Sequence, residues 1–92
     1  MKKYIRASID KEQEQKYYAL GKEIEKELIE SNIDTYLASV WDNDTAWVIS
    51  FWADDSYNLN KIRRLAYLRD EVVAVRERAV GDNGWYVDCY IV

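Results

Sequence analysis

Apolar and polar residues alternate from Lys3 to Ile9, with Ile5, Ala7 and Ile9 on one side and Tyr4, Arg6 and Ser8 on the other. A period of two predicts a first strand there. Asp10, with Gln13 three residues on, predicts a capping box opening a helix. Behind it Tyr17, Leu20, Gly21, Ile24 and Leu28 recur at helical spacing, a single apolar stripe. A glycine inside such a stripe predicts a close approach between the helix and whatever it packs on. Ser31-Asn32 predicts the stop.

Tyr36 to Trp52 is rich in β-branched and aromatic residues and is broken by Asp42-Asn43-Asp44, which predicts a β-hairpin. On its second strand Trp47, Ile49 and Phe51 share one face, and Val48, Ser50 and Trp52 share the other. On its first strand the pattern leaves open whether Leu37 or Val40 points inward. Asp54 to Asn60 holds turn formers. A second helix follows through Leu59, Ile62, Leu65, Ala66 and Arg69, with Ser56 or Asn58 as its cap. Val72, Val73 and Val75 are β-branched and lower helix propensity. The helix is therefore expected to end near Asp70, with a strand over 72–80; the competing reading runs it on to Ala79. Gly81-Asp82-Asn83-Gly84 predicts a tight turn into a last strand, Trp85 to Val92.

The expected order is β-α-β-β-α-β(-β), the ferredoxin-like two-layer α+β sandwich with two helices on one face of an antiparallel sheet. One domain over 1–92 accounts for the length, and there is no internal repeat or low-complexity segment. A chain this short buries about 60–65% of its unfolded surface, so the core must be efficient. Hydrophobic residues make up 49% and charged residues 33%, a globular balance.

Composition then narrows the chemistry. The chain has no His and one Cys, so the common general base and the usual zinc ligand sets are missing. The three glycines, Gly21, Gly81 and Gly84, form no phosphate-binding loop. Cys89 sits at an apolar alternating position with Val87 and Ile91, as a buried structural thiol does. The pairs Asp42/Asp44 and Asp54/Asp55 fall in turns, where Asp serves the backbone more often than a cation. We therefore expect no catalysis, no metal and no cofactor. A lone cysteine, no apolar leader segment and no membrane-length apolar run make the expected setting cytoplasmic.

Net charge is −4. The bases gather in the first nine residues and over 61–78, and the acids Glu23, Glu27 and Glu30 on the first helix. With Ile5, Ala7, Ile49, Phe51, Val87, Cys89 and Ile91 toward the helices, Tyr4, Arg6, Trp52, Tyr86, Asp88 and Tyr90 point away. RNA-recognition domains use such rings to stack bases; the likeness is one of architecture only, because their signature octamer is absent. Arg63 and Arg64 on the second helix are either a solvated face or a patch for an acidic partner. Tyr4, Arg6, Trp52, Tyr86, Tyr90, Arg63 and Arg64 are thus the candidate partner-binding residues. The expected function is that of a small acidic accessory or phage-type protein, which regulates or inhibits a protein partner or pairs with itself. The alternative is a single-stranded nucleic-acid binder using the sheet aromatics and the 61–78 basic stretch.

Overall fold

The structure, a computed structural model, describes the backbone of residues 2–91 and the side chains of residues 11–91. Its elements are α1 (Lys2–Glu30), β1 (Leu37–Asp42), β2 (Trp47–Ala53), α2 (Ser56–Tyr67), β3 (Val72–Val80) and β4 (Gly84–Ile91). The strands form one antiparallel sheet in the order β1-β2-β4-β3. Both helices pack on the same side of it, giving a two-layer α+β domain.

The expected first strand over 3–9 is instead the opening of α1, so the element order is not that of the ferredoxin-like sandwich. No Gly or Pro separates Ile9 from the Lys-Glu-Gln-rich run after Asp10. Those residues are strong helix formers, and extending an existing helix costs far less than nucleating a new one. The alternation over 3–9 is outweighed, and the Asp10–Gln13 box lies inside a continuous helix. The stop is where it was expected. Asn32 takes a left-handed φ of 64°, its N–H bonds Ile29 O at 3.0 Å, and the Ile33 N–H bonds Leu28 O at 3.1 Å. This is a Schellman cap, sealed by buried Leu28 and Ile33.

The α1 stripe packs as read. Ile24 and Leu28 are buried, and Tyr17 and Leu20 pack at their edge. A Cβ on Gly21 would lie 3.1 Å from both Leu37 methyls and 3.2 Å from Ile49 Cγ2, the close approach expected of it. In β1 the choice between Leu37 and Val40 dissolves. The register shifts between Leu37 and Ser39, so Leu37 pairs with Phe51 and Val40 with Ile49, and both face the core. An extra residue in a strand turns a three-residue spacing into same-face neighbours, which alternation alone does not register.

The hairpin turn is held by its own side chains. Asp42 Oδ1 accepts the Asp44 N–H at 2.8 Å, and Asn43 Oδ1 accepts those of Thr45 and Ala46 at 3.0 and 2.8 Å. The α2 cap is Asp55 rather than Ser56 or Asn58; its carboxylate accepts the Asn58 N–H at 2.7 Å. Asn58 is buried and accepts the Asp34 N–H through Oδ1, tying the α1–β1 connection to α2. α2 ends at Tyr67, three residues before Asp70, and 72–80 is a strand, β3, rather than a continued helix. Ile49, Phe51, Ile62, Ala66, Val87 and Cys89 are wholly buried between the layers.

Candidate interaction face

Strand pairing fixes what lies on the sheet side away from the helices. Trp41, Val48, Tyr90 and Ala74 form one row across the four strands, and Ser39, Ser50, Asp88 and Arg76 the next. Trp52, Tyr86 and Arg78 form a third row across β2, β4 and β3. The small members sit low: Val48 and Ser50 are fully buried and Asp88 is 4% exposed. Trp41 is exposed, and the rings of Trp52, Tyr86 and Tyr90 are half-buried at the surface.

A polar network anchors the middle of this face. Ser50 Oγ donates to Asp88 Oδ1 at 2.7 Å, and Arg78 donates from Nε to Oδ2 at 3.0 Å and from Nη2 to Oδ1 at 3.1 Å. A bidentate arginine satisfies a buried carboxylate well and fixes its own orientation. The Asp88 hydrogen bonds hold the Arg78 guanidinium above the ordinary arginine pKa. That guanidinium lies 4.8 Å from the centre of the Tyr86 ring, and the Tyr86 ring meets Trp52 edge-on at 5.1 Å. Arg76 lies 5.7 Å from the centre of the Tyr90 ring. Trp52 is also braced from behind. Gly84, at φ 154°, lies so close to it that a Cβ there would come within 2.7 Å of the indole Cζ2.

The candidate residues thus divide. Trp52, Tyr86 and Tyr90 come together on one face. Tyr4 and Arg6 belong to the first turns of α1 rather than to the sheet, and their side chains lie outside the described residues. Arg63 and Arg64 are on α2, in the other layer, and line a groove against β3. Three residues of the face were missed as candidates: Trp41, Arg76 and Arg78. The two arginines alternate with Ala74 along β3, a signal readable once 72–80 is taken as a strand. Trp41 depended on the bulge.

The acidic surface of α1 is partly committed to the fold. Arg69, in the α2–β3 connection, bonds Glu27, Glu23 and Glu71 at once. Those contacts raise the Arg69 pKa, led by the Glu71 hydrogen bonds, and Glu71 is lowered in return. Glu25, in the packed C-terminal half of α1, accepts the Leu37 N–H at 2.7 Å, and this bond draws its carboxyl below the usual range. Cys89 is buried in the core, where desolvation pushes its thiol up to about 12.

Among the described residues no three His, Cys, Asp or Glu side chains are grouped to hold a metal ion. No described helix is long and apolar enough to cross a membrane. Compared with protein-family models, with curated proteins and with solved structures, the chain matches none.

Proposed function

We propose that the protein is a non-catalytic interaction module that docks on a protein partner, whose activity it regulates or inhibits, through the sheet face opposite its helices. The observation that carries this reading is the face itself: four rings, Trp41, Trp52, Tyr86 and Tyr90, with Arg76 and Arg78 stacked beside two of them. Trp, Tyr and Arg dominate binding energy at protein interfaces. Here most of the ordering precedes binding. Arg78 is locked to Asp88 and Trp52 is braced against Gly84, so little side-chain freedom remains to be lost on docking.

Binding of single-stranded nucleic acid is the second reading, favoured by rings that sit beside guanidinium groups. Against it stands the carboxylate of Asp88 at the centre of the face, already neutralising Arg78, in a chain of net charge −4. Electrostatic attraction supplies most non-specific nucleic-acid affinity, and this face has little to spare.

Affinity capture from the protein's native cells tests the proposal. Wild-type protein is expected to retain a specific partner through washes in high salt, since apolar contacts are not screened. A Tyr86→Ala/Tyr90→Ala variant that still folds is expected to release it. Equal retention by that variant refutes the assignment of the face.

A further inference from the structure

β3 is an edge strand, and its two halves differ. Arg76, Glu77 and Arg78 place charges along the C-terminal half, the usual protection of an exposed edge. The preceding Val73-Ala74-Val75 carries no charge; the register with β4 shifts at Val73, which is 51% exposed, and is regular from Ala74 on. Beside that uncharged stretch runs an open groove of about 720 Å³, with Asn60, Arg63, Arg64, Tyr67 and Leu68 forming its other wall. Asn60, Arg63, Arg64 and Tyr67 recur at i, i+3, i+4 and i+7, so they form one face of α2. Tyr67 and Leu68 are exposed apolar surface, at 63% and 73%.

We propose that this groove receives an extended acidic peptide segment of a partner protein, which adds to the sheet as a fifth strand beside β3. Main-chain pairing with an exposed edge supplies affinity, and alternate side chains supply specificity. Side chains of the added strand on its helix side reach Arg63 and Arg64, with Tyr67 and Leu68 beside them. Charge selects the occupant: both ionic groups lining the groove are arginines, in a chain that is acidic overall. Arg63 contacts Glu77 at 3.4 Å with both side chains about half exposed, a weak pair that a peptide carboxylate can replace. A second copy of this chain fits less well. Symmetric pairing of the whole of β3 centres on Arg76 and sets it opposite its own copy, and like charges directly opposite are destabilising. The site is separate from the aromatic face and stands whether or not that face binds a protein.

The test is fluorescence anisotropy at low ionic strength with a fluorescein-labelled, acetylated and amidated (Glu-Val)4 peptide, with (Lys-Val)4 as control. The glutamate peptide is expected to saturate and the lysine peptide not to bind. Arg64→Glu, which breaks no ion pair among the described residues, is expected to weaken binding about fivefold or more. Backbone N-methylation of the peptide at every second residue separates strand addition from simple charge attraction, and it leaves the protein untouched. One alternation frame is expected to lose binding and the other to keep it, because an added strand uses the N–H groups of alternate residues. Failure of the glutamate peptide to bind, an unchanged affinity in Arg64→Glu, or indifference to both N-methylated frames overturns the proposal.

Discussion

Arg78 grips Asp88 with two hydrogen bonds on the sheet side away from the helices, one from Nε at 3.0 Å and one from Nη2 at 3.1 Å. The pair is lopsided. The Asp88 side chain is 6% exposed and that of Arg78 52%, so the carboxylate depends on a partner that reaches it from the surface. Removing the arginine therefore strands a buried charge, whereas the arginine without the aspartate returns to water.

That asymmetry gives the first prediction. Arg78→Ala is expected to destabilise the domain by about 1–3 kcal/mol, the cost of a buried polar group left under-satisfied. Asp88→Asn/Arg78→Ala is expected to recover part of the loss, because the uncompensated charge is gone. Urea unfolding of the three proteins checks this; a double variant no more stable than Arg78→Ala contradicts it.

Two glycines are expected to respond to the same substitution differently. In Gly84→Ala the new methyl meets the Ala53 carbonyl oxygen at 2.4 Å at a φ of 154°, and backbone cannot step aside. A loss of about 2 kcal/mol or more is expected, together with a shift in Trp52 fluorescence as its ring is displaced. In Gly21→Ala the methyl meets Leu37 and Ile49 side-chain carbons at 3.1–3.2 Å, so a few tenths of an ångström of movement suffices. The gain in helix propensity of about 1 kcal/mol offsets that crowding, and thermal unfolding should place Gly21→Ala close to wild type.

These positions also show what the chain declares in advance. Gly21 in its apolar stripe, the Ser31-Asn32 stop, the facing of β2 and the strand at 72–80 were all legible, because each rests on local spacing or local turn chemistry. The opening strand was not. Its alternation of Ile5, Ala7 and Ile9 with Tyr4, Arg6 and Ser8 was real, but a strand needs a neighbour, and the propensity of the following twenty residues is felt upstream. The bulge in β1 was equally hidden, since it reflects how β1 pairs with β2 and packs under α1. Of the candidate face, Trp52, Tyr86 and Tyr90 followed from alternation. Arg76 and Arg78 were visible only as members of a basic stretch until β3 was set beside β4.

Acid is expected to loosen the junction of α1 with β1. The Glu25 carboxyl is lowered from 4.5, chiefly by the Leu37 N–H and also by Lys22. Its ionised form is therefore favoured by folding. The contribution is complete above the unfolded value and is lost as pH falls through the lower folded one. Glu25→Gln is expected to be less stable than wild type at pH 7, with the gap narrowing below about pH 4. A gap that stays constant down to pH 3 contradicts this assignment.

Cys89, with its thiol pushed up to about 12 by burial, is expected to resist alkylation in the folded protein. Iodoacetamide at neutral pH should modify it only at the rate of unfolding, and rapidly in urea. Labelling of the native protein at the rate of a free thiol contradicts the packing of β4.

Short single-stranded oligonucleotides are expected to leave the tryptophan emission unchanged at low salt, where phosphate contacts are strongest. Quenching that disappears as salt rises transfers the aromatic face to the second reading.

Site-specific photocrosslinking in the native cells asks whether a partner protein sits on the aromatic face. A benzophenone amino acid replaces Tyr90 on the aromatic face or, as a control, Lys11 on the exposed early part of α1. A discrete adduct is expected from position 90, heavier than the 10.9 kDa chain by the mass of one partner protein, and none from position 11. An adduct of twice the chain's mass identifies that partner as a second copy. Equal adducts from both positions, or none from position 90 in a protein that remains folded, contradict the docking of a partner on that face.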